Sequence, residues 1–328
     1  MKVLLAHLVS LSTSTSSPSK DAIFNEWCTN VGILCDHAEV RTGPESVGGR
    51  GVFSTNEISR GNVAISIPRY LAFTRFNAAG YFPVLANALE ECRREKQGYL
   101  KRIWNRIRRK PEVELSEEDD FWQAELTAYA LATLETDHPW STWISQWNRD
   151  DPMQSLVDQS TWKFDDEAVN VAISDFGGMA PDIPKYKINA AVQIRLDEIN
   201  EYTDKYENKV PTSESMYTTL ISRAIGVSDS ITACLPMHDM INHSTDPNLA
   251  FTFCDGNFEL VALRDIAKDE ELFLSYMDVA NNEGDWDEDK ATWLLVQWGI
   301  PSSPLKPAIV SLSENQNGLE QLESLSLL

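Results

Sequence analysis

The sequence predicts an α+β fold in which short strands near both ends of the chain flank a long helical segment. Apolar residues recur at every second position in residues 62–68 and again in residues 249–262. From about residue 77 to residue 212 they recur every three or four positions. A period of two is typical of half-buried strands and a period of 3.6 of amphipathic helices. We therefore predict one β domain that is split by a helical insertion.

The first strand region consists of residues 62–68 and the glycine-containing segment 49–54 before it. Val63, Ile65 and Ile67 alternate with small or polar residues, and Pro68 ends the strand. In segment 49–54 a phosphate-binding loop would need a third glycine and a following helix, whereas Val52 and Phe53 favour a strand. Glycine there still lets the backbone come close to a ligand or to another strand, and its spacing does not decide between them.

The middle of the chain is predicted to be helical. Ser116 and Asp119 form a capping box ahead of an apolar series that ends at residue 134. A second helix is indicated by apolar residues at intervals of four, four and three, and residues 217–224 indicate a third. The apolar positions of the first two helices are Trp122, Leu126, Tyr129, Leu134, Ile188, Val192, Leu196 and Ile199.

Strands return in the last third of the chain. Alternating apolar residues in 249–253 and in 258–262 flank the sequence Cys-Asp-Gly-Asn at 254–257, which predicts a hairpin with an Asp-Gly turn. Residues 272–276 predict one more strand. The resulting domain limits are 38–278 for the β domain with its insertion, and 279–328 for an acidic loop and a short C-terminal remnant.

The composition excludes several classes of partner. A formal net charge of −22 argues against general nucleic-acid binding and favours basic protein partners. The basic stretch 101–110 surrounds Trp104, which would suit a nucleic-acid contact. However, Ile103 and Ile107 are spaced as on the inner side of a helix, and an acidic stretch follows, so we predict a solvated helix face instead. No segment approaches the roughly twenty apolar residues that a membrane-spanning helix needs. We expect a monomer.

Cysteine usage and the N-terminus bear on the compartment. Five cysteines, without a CxxC pair, indicate a reducing compartment and no structural zinc. Residues 1–20 carry a short apolar run and a Ser/Thr-rich stretch, which we interpret either as a frayed end or as a targeting segment. The expected location is the cytoplasm or the nucleus, or a plastid if residues 1–20 are a transit peptide.

The densest group of polar residues is the segment Pro236-Met237-His238-Asp239-Met240-Ile241-Asn242-His243-Ser244. Its Asp and His side chains are metal-ligand types, yet adjacent residues of a strand point to opposite faces and a helix would separate the two histidines by five positions. A metal site within this segment is therefore disfavoured, and none is predicted. Two interpretations remain: a structural turn capped by Asp239 and Asn242, or part of a functional site.

Four segments, in this order along the chain, resemble the motifs of SET-domain protein methyltransferases, especially the Rubisco large-subunit lysine methyltransferase subgroup. They are Gly49-Arg50-Gly51-Val52-Phe53-Ser54, Ser222-Arg223-Ala224, the segment 236–244 and Glu270-Glu271-Leu272-Phe273-Leu274-Ser275-Tyr276. The resemblance covers about residues 40–300. It implies a SET-domain β-fold of short strands split by a helical insertion, and an enzyme that transfers methyl groups to a lysine of a protein substrate.

The resemblance also implies a cofactor, S-adenosylmethionine (AdoMet), and the residues around it. Methyl transfer from a sulfonium is an in-line displacement, and the cation favours oxygens and ring faces around it rather than a metal. The residues expected to bind the cofactor are Gly49, Arg50, Gly51, Arg223, Asn242 and His243.

Tyr276 matches the catalytic tyrosine of the family. A free lysine amine is only about one part in a thousand neutral at pH 7, so an apolar channel that disfavours the charge would promote reaction. By the resemblance, Tyr276 orients the amine, Phe251 forms a wall of the channel, and Arg223 and Asp239 lie near the substrate. For Asp239 a structural hydrogen bond remains an equal alternative, and for Tyr276 a core position at the end of a strand.

Departures from the family pattern leave two further functions open. The loop after Tyr276 is longer than in the family and acidic, and only about thirty residues follow residue 300. The ending is Trp298-Gly299-Ile300, and Trp293 or Trp298 is therefore expected to replace the aromatic residue that packs near adenine in the family. The first alternative is a protein-histidine N-methyltransferase, since a neutral imidazole needs no costly deprotonation. The second is an inactive SET-like domain that binds proteins.

Overall fold

A computed structural model describes residues 18–43, 50–94, 122–147, 174, 177–178, 180–206, 208–228, 231–276 and 288–300. Within these residues the fold is α+β, as predicted, with short strands in small sheets around a group of helices. The strands are β1 (Ala38–Thr42), β2 (Arg50–Ser54), β3 (Val63–Pro68), β4 (Ile225–Ser228), β5 (Ile231–Ala233), β6 (Asn242–His243), β7 (Leu249–Cys254), β8 (Asn257–Ala262) and β9 (Phe273–Leu274).

The helices confirm the helical period in the middle of the chain. Their bounds are α1 (Lys20–Asn30), α2 (Arg75–Tyr81), α3 (Trp122–Leu134), α4 (Ser141–Ile144), α5 (Lys185–Tyr206), α6 (Glu214–Arg223) and α7 (Glu288–Trp298). Residues 83–94 are also helical, and short 3₁₀ turns cover Arg69–Leu71 and His238–Met240. The predicted capping box of Ser116 and Asp119 lies outside the described residues.

The largest of the sheets has the order β3-β8-β7 and is antiparallel throughout. The predicted hairpin is confirmed: β7 and β8 pair from Leu249↔Ala262 to Cys254↔Asn257. Asp255 and Gly256 at its turn have φ of 50° and 82°. Two consecutive positive φ angles are the requirement of a tight hairpin turn whose twist matches its strands, which explains the Asp-Gly pair.

Strand β3 differs from the predicted alternation. Its residues Ala64, Ile65, Ser66 and Ile67 are all buried, whereas Val63 is 38% exposed. The register shifts between Val63 and Ile65, which turns Val63 out of the core. On its other edge Ser66 exchanges both backbone hydrogen bonds with Leu34. Because both alternating sets of side chains are buried, the strand is covered on both faces instead of one.

Helix α1 was not predicted, because residues 1–20 were interpreted as a terminus and the first third of the chain as strands. Ser19 caps the helix by accepting a hydrogen bond from the backbone N–H of Ala22, while Phe24 and Cys28 are buried in the main core. The side chain of Asn25 donates to the carbonyl of Val40 and accepts from its N–H, each at 2.9 Å. Helix α1 is thereby attached to the edge of β1.

Two hydrophobic clusters stabilise the described part of the chain. The larger one fills the space between the sheets and helices α1 to α4 and includes the fully buried Trp143 and Trp147. The smaller one joins α5 to α7, with Tyr276 and Trp298 packed against it. Every described helix is too short or too polar to cross a bilayer.

Candidate active site

The site is organised by one crossing segment, residues 270–274. Its first half lies along β2: Ser54 N–H donates to the carbonyl of Glu270, and Leu272 N–H to the carbonyl of Val52. Its second half is β9, which runs parallel to β6. Because one extended segment pairs first with β2 and then with β6, the Gly-containing strand and the Asn-His strand meet at Glu271. The predicted strand 272–276 is shorter in the structure, where only Phe273–Leu274 are paired.

At this meeting point Gly51, Asn242 and Glu271 are in contact. Asn242 Nδ2 donates to Glu271 Oε1 at 2.7 Å and to the carbonyl of Arg50 at 3.1 Å. A Cβ on Gly51 would clash with Glu271 Oε1 and lie 3.0 Å from Asn242 Nδ2. The second glycine of the Gly-x-Gly segment is therefore required by the close approach of another strand. Gly49 lies outside the described residues.

His243 is a half-buried neutral imidazole. The backbone N–H of Tyr276 donates to its Nδ1 at 3.1 Å, so the neutral ring carries its proton on Nε2. Loss of solvent on burial lowers the pKa of His243 to about 4. Nε2 is buried and has no hydrogen-bond partner among the described residues. It is thus an N–H donor available to a ligand, and the ring is unsuited to hold a proton at neutral pH.

Tyr276 lies directly beside the Asn-His strand. Its hydroxyl donates to the carbonyl of Ile241 at 2.7 Å, and its ring is 5.4 Å from that of His243. On the other side the ring is 5.5 Å from Trp298, whose indole N–H donates to the carbonyl of Ser222 at 2.7 Å. These contacts orient the phenol so that two oxygens, the hydroxyl and the Ile241 carbonyl, lie side by side.

Arg223 and Asp239, both predicted near the substrate, contact each other. Arg223 Nη1 donates to the backbone carbonyl of Asp239 at 2.7 Å and lies 3.8 Å from Oδ2 of its carboxylate. That carboxylate is buried and accepts the indole N–H groups of Trp143 and Trp147. Burial raises the pKa of Asp239, and the Arg223 charge opposes that rise. These contacts describe the structural alternative for Asp239; its contact with substrate stays a prediction.

The remaining predicted residues lie at the margins of this group. Arg50 forms an ion pair with Asp21 of α1 at 2.8 Å and donates to Gln146 at 3.1 Å, while its carbonyl holds Asn242. Phe251, a predicted channel wall, is stacked on Phe258 and lies 5.2 Å from the ring of His238. Burial lowers the pKa of His238 to about 4, so this imidazole is also neutral.

Sequence reasoning missed three residues that hold the site together: Glu271, Trp143 and Trp147. Glu271 is 7% exposed, and burial raises the pKa of its carboxyl although the hydrogen bond from Asn242 lowers it. The Glu-Leu segment was noted as a motif, but nothing local indicated that this carboxyl meets Asn242. The two tryptophans lie in an apolar stretch of the insertion, and only tertiary contact shows that their N–H groups share one acceptor.

The donor set of the site suits an organic cation with polar ends better than a metal. Among the described residues no group of three or more His, Cys, Asp or Glu side chains could hold a metal ion. Instead, several buried polar atoms of the site lack a hydrogen-bond partner in the described chain, among them His243 Nε2, Arg223 Nε, Asp239 Oδ1 and Glu271 Oε2. Donors and acceptors of this kind beside a tyrosine ring fit a ligand of the AdoMet type.

A Gly-x-Gly strand, an Asn-His strand and a Glu-Leu segment that meet beside a tyrosine, with helices inserted between them, define a single class of protein. Residues 49–277 match the family model described as SET domain, and the chain belongs to that family. A protein of Schizosaccharomyces pombe, SET domain and MYND-type zinc finger protein 6, is 46% identical over 52 residues, which cover 16% of this chain and 11% of that protein.

Solved structures show the same fold. The SET domain of LSMT bound to lysine and AdoHcy matches with a TM-score of 0.54 at 13% identity, over 88% of this chain and 57% of that chain. The same domain bound to MeLysine and AdoHcy matches with a TM-score of 0.55 at 14% identity, over 88% and 58%. The chain thus spans less than two thirds of the LSMT structures.

Proposed function

We propose that this protein is an AdoMet-dependent protein-lysine N-methyltransferase. Membership of the SET family and the LSMT-like fold support this function, since those LSMT structures hold lysine and AdoHcy. The observation that carries the proposal is the Tyr276 hydroxyl, which is held on the Ile241 carbonyl at 2.7 Å, one residue before the Asn-His strand.

When bound, AdoMet supplies an electrophilic methyl group on a sulfonium. The residues of this chain that would hold it are the backbone of Gly51, the strand Asn242–His243 and the side chain of Arg223. His243 Nε2 and Arg223 Nε are buried polar atoms without a hydrogen-bond partner in the described residues, and Gly51 lets Glu271 and Asn242 approach its backbone closely. The neutral His243 contributes a donor and no charge, so it does not repel the cation.

The chain must also prepare the lysine nucleophile. Because the Tyr276 hydroxyl donates its proton to the Ile241 carbonyl, its oxygen faces an incoming amine as an acceptor, and the adjacent carbonyl is a second acceptor. Two acceptors side by side orient the amine N–H bonds, so the nitrogen lone pair points away from them. The flanking rings of His243 and Trp298 limit water around the amine, which favours its uncharged form.

Replacement of Tyr276 by Phe tests this role. We expect kcat with labelled AdoMet and a lysine-bearing protein substrate to fall about 100-fold, because the amine loses one of the two acceptors that orient it, with AdoMet affinity little changed. Tyr186→Phe is the matched control, because Tyr186 is 70% exposed on α5. Equal labelling by the wild type and Tyr276→Phe would show that Tyr276 has no catalytic role.

Two further measurements separate the alternative functions. Mass spectrometry of the labelled product identifies whether lysine or histidine carries the methyl group. Absence of AdoMet binding in calorimetry would instead support an inactive protein-binding domain and contradict the proposed enzymatic function. The preference for a basic substrate segment, the monomeric state and the intracellular location stay predictions.

A further inference from the structure

Trp143 and Trp147 of the helical insertion donate hydrogen bonds to the same oxygen of one buried carboxylate. The distances from their Nε1 atoms to Asp239 Oδ2 are 2.9 Å and 2.7 Å. Both indoles are fully buried, and their rings meet at 87° with centroids 5.3 Å apart. The donors come from 96 and 92 residues earlier in the chain. This is a contact between the insertion and the Asn-His segment, which apolar packing alone would not require.

The carboxylate needs these donors because it is out of water. A buried charge without hydrogen bonds is costly, and loss of one donor leaves an unsatisfied oxygen. Burial raises the pKa of Asp239, while Arg223 and then the two indoles stabilise its charged form. The indoles themselves are held by neighbouring rings: Trp27 is stacked on Trp143 at 6.4 Å, and Phe73 makes an edge contact with Trp147 at 6.2 Å.

Asp239 in turn holds Arg223. One guanidinium nitrogen, Nη1, is engaged by the Asp239 carbonyl at 2.7 Å and lies 3.8 Å from its carboxylate. Nε of the same side chain is buried with no hydrogen-bond partner in the described residues. A guanidinium with one end anchored and a buried N–H left over is oriented for an anionic group of a ligand.

We propose that Trp143 and Trp147 are positioning residues of the methyl-transfer site: they fix Asp239, which fixes Arg223 so that its Nε donates to the carboxylate of AdoMet. The inference rests on the proposed function, and it makes the insertion a determinant of cofactor affinity. Both tryptophans are fully buried in the larger cluster, and the proposal gives them no contact with the cofactor. Their effect passes through the Asp239 carboxylate, and therefore depends on their N–H groups as well as on their volume.

Calorimetry with AdoHcy on Trp143→Phe, Trp147→Phe and Trp140→Phe tests the inference without catalysis. Trp140 is the matched control, because it is buried in the same cluster but packs on Phe73 and His138 instead of donating to Asp239. We expect Kd to rise about ten-fold in the first two variants, the effect of one lost hydrogen bond to a charged group, and less than about two-fold in Trp140→Phe. Equal effects in all three variants would overturn the inference.

Asp239→Asn provides a second test that preserves volume, because the amide still offers an acceptor oxygen to the indoles but lacks the charge that attracts Arg223. We expect it to raise Kd about ten-fold, and the double variant with Trp147→Phe to add little, because without that charge the indoles no longer act on Arg223. In Trp143→Phe and Trp147→Phe the KM for AdoMet should rise in parallel with Kd while kcat at saturation changes less than about three-fold. If the double variant raised Kd by the product of the two single effects, or if kcat fell with KM unchanged, the positioning role would be contradicted. A wild type that binds no AdoHcy would instead overturn the proposed function itself.

Discussion

Single residues of the site are constrained mainly by how closely backbone and buried polar groups approach each other. Gly51 has no side chain, and this lets Glu271 and Asn242 form their hydrogen bond across strand β2. His238 and His243 are both held neutral by burial. Substitutions at these positions are poorly tolerated, because a methyl group at Gly51 or a charge on either histidine would destabilise the site.

Gly51→Ala should destabilise the protein by about 1–3 kcal/mol and weaken AdoMet binding, because its methyl group must displace Glu271 or Asn242. Chemical denaturation and calorimetry measure the two effects. Gly80→Ala is the control: Gly80 is an exposed residue of α2 with no heavy atom within 4 Å of a Cβ there, so alanine should stabilise the helix slightly. Similar stability changes in both variants would contradict the close approach at Gly51.

The buried histidines should make stability depend on pH. Their pKa is lowered from 6.5 to about 4, so the unfolded chain binds the protons first as pH falls. Each histidine thus stabilises the fold fully above pH 6.5, and this contribution is lost as pH falls from 6.5 towards 4, by about 1.4 kcal/mol per pH unit. Relative to the wild type, His238→Phe should gain about 3 kcal/mol between pH 7 and pH 4, measured by urea unfolding.

The surface residue His37 provides the comparison for that measurement. His37→Gln replaces an exposed residue, and the unfolding free energy of this variant should follow the wild-type pH profile. A His238→Phe profile parallel to the wild type would show that His238 does not resist protonation in the folded protein.

At the scale of elements, helix α1 is attached to the β domain by polar contacts as well as by packing. Asn25 satisfies both backbone groups of Val40 on the outer edge of β1, and Asp21 pairs with Arg50 in β2. Side-chain amides can replace a neighbouring strand in this way because they carry one donor and one acceptor group. The helix thereby protects a sheet edge that would otherwise be open for pairing.

Asn25→Ala should lower the free energy of unfolding by about 2 kcal/mol, since two hydrogen bonds are lost and Val40 is left without partners. Glu26→Ala, on the exposed face of the same helix, should change it by less than about 0.5 kcal/mol. Denaturant unfolding followed by tryptophan fluorescence compares them. If the two variants are equally stable, the link between α1 and β1 contributes nothing.

For the whole molecule, the net charge of −22 predicts that basic segments of protein substrates are attracted to the surface. Salt would screen this attraction. The ionic contacts of Lys187 with Glu288 and Asp289 join α5 to α7, and they add little stability because both carboxylates are exposed to solvent.

For a peptide with basic residues around its target lysine, kcat/KM should fall about five-fold between 50 mM and 500 mM salt. A peptide with the same lysine and neutral flanks is the control, and its kcat/KM should change less than about two-fold. Initial rates with labelled AdoMet give both values. An equal salt dependence for the two peptides would exclude steering by the acidic surface.

Local periodicity and turn chemistry were enough to predict the α+β class, the helices α3, α5 and α6 and the hairpin β7–β8. They did not predict helix α1, the burial of β3 on both faces, or the contacts of Asp239 with Trp143 and Trp147. The donors to Asp239 lie more than 90 positions earlier in the chain. Such contacts follow from tertiary packing, because burial, and with it the requirement for hydrogen-bond partners, arises when distant segments pack together.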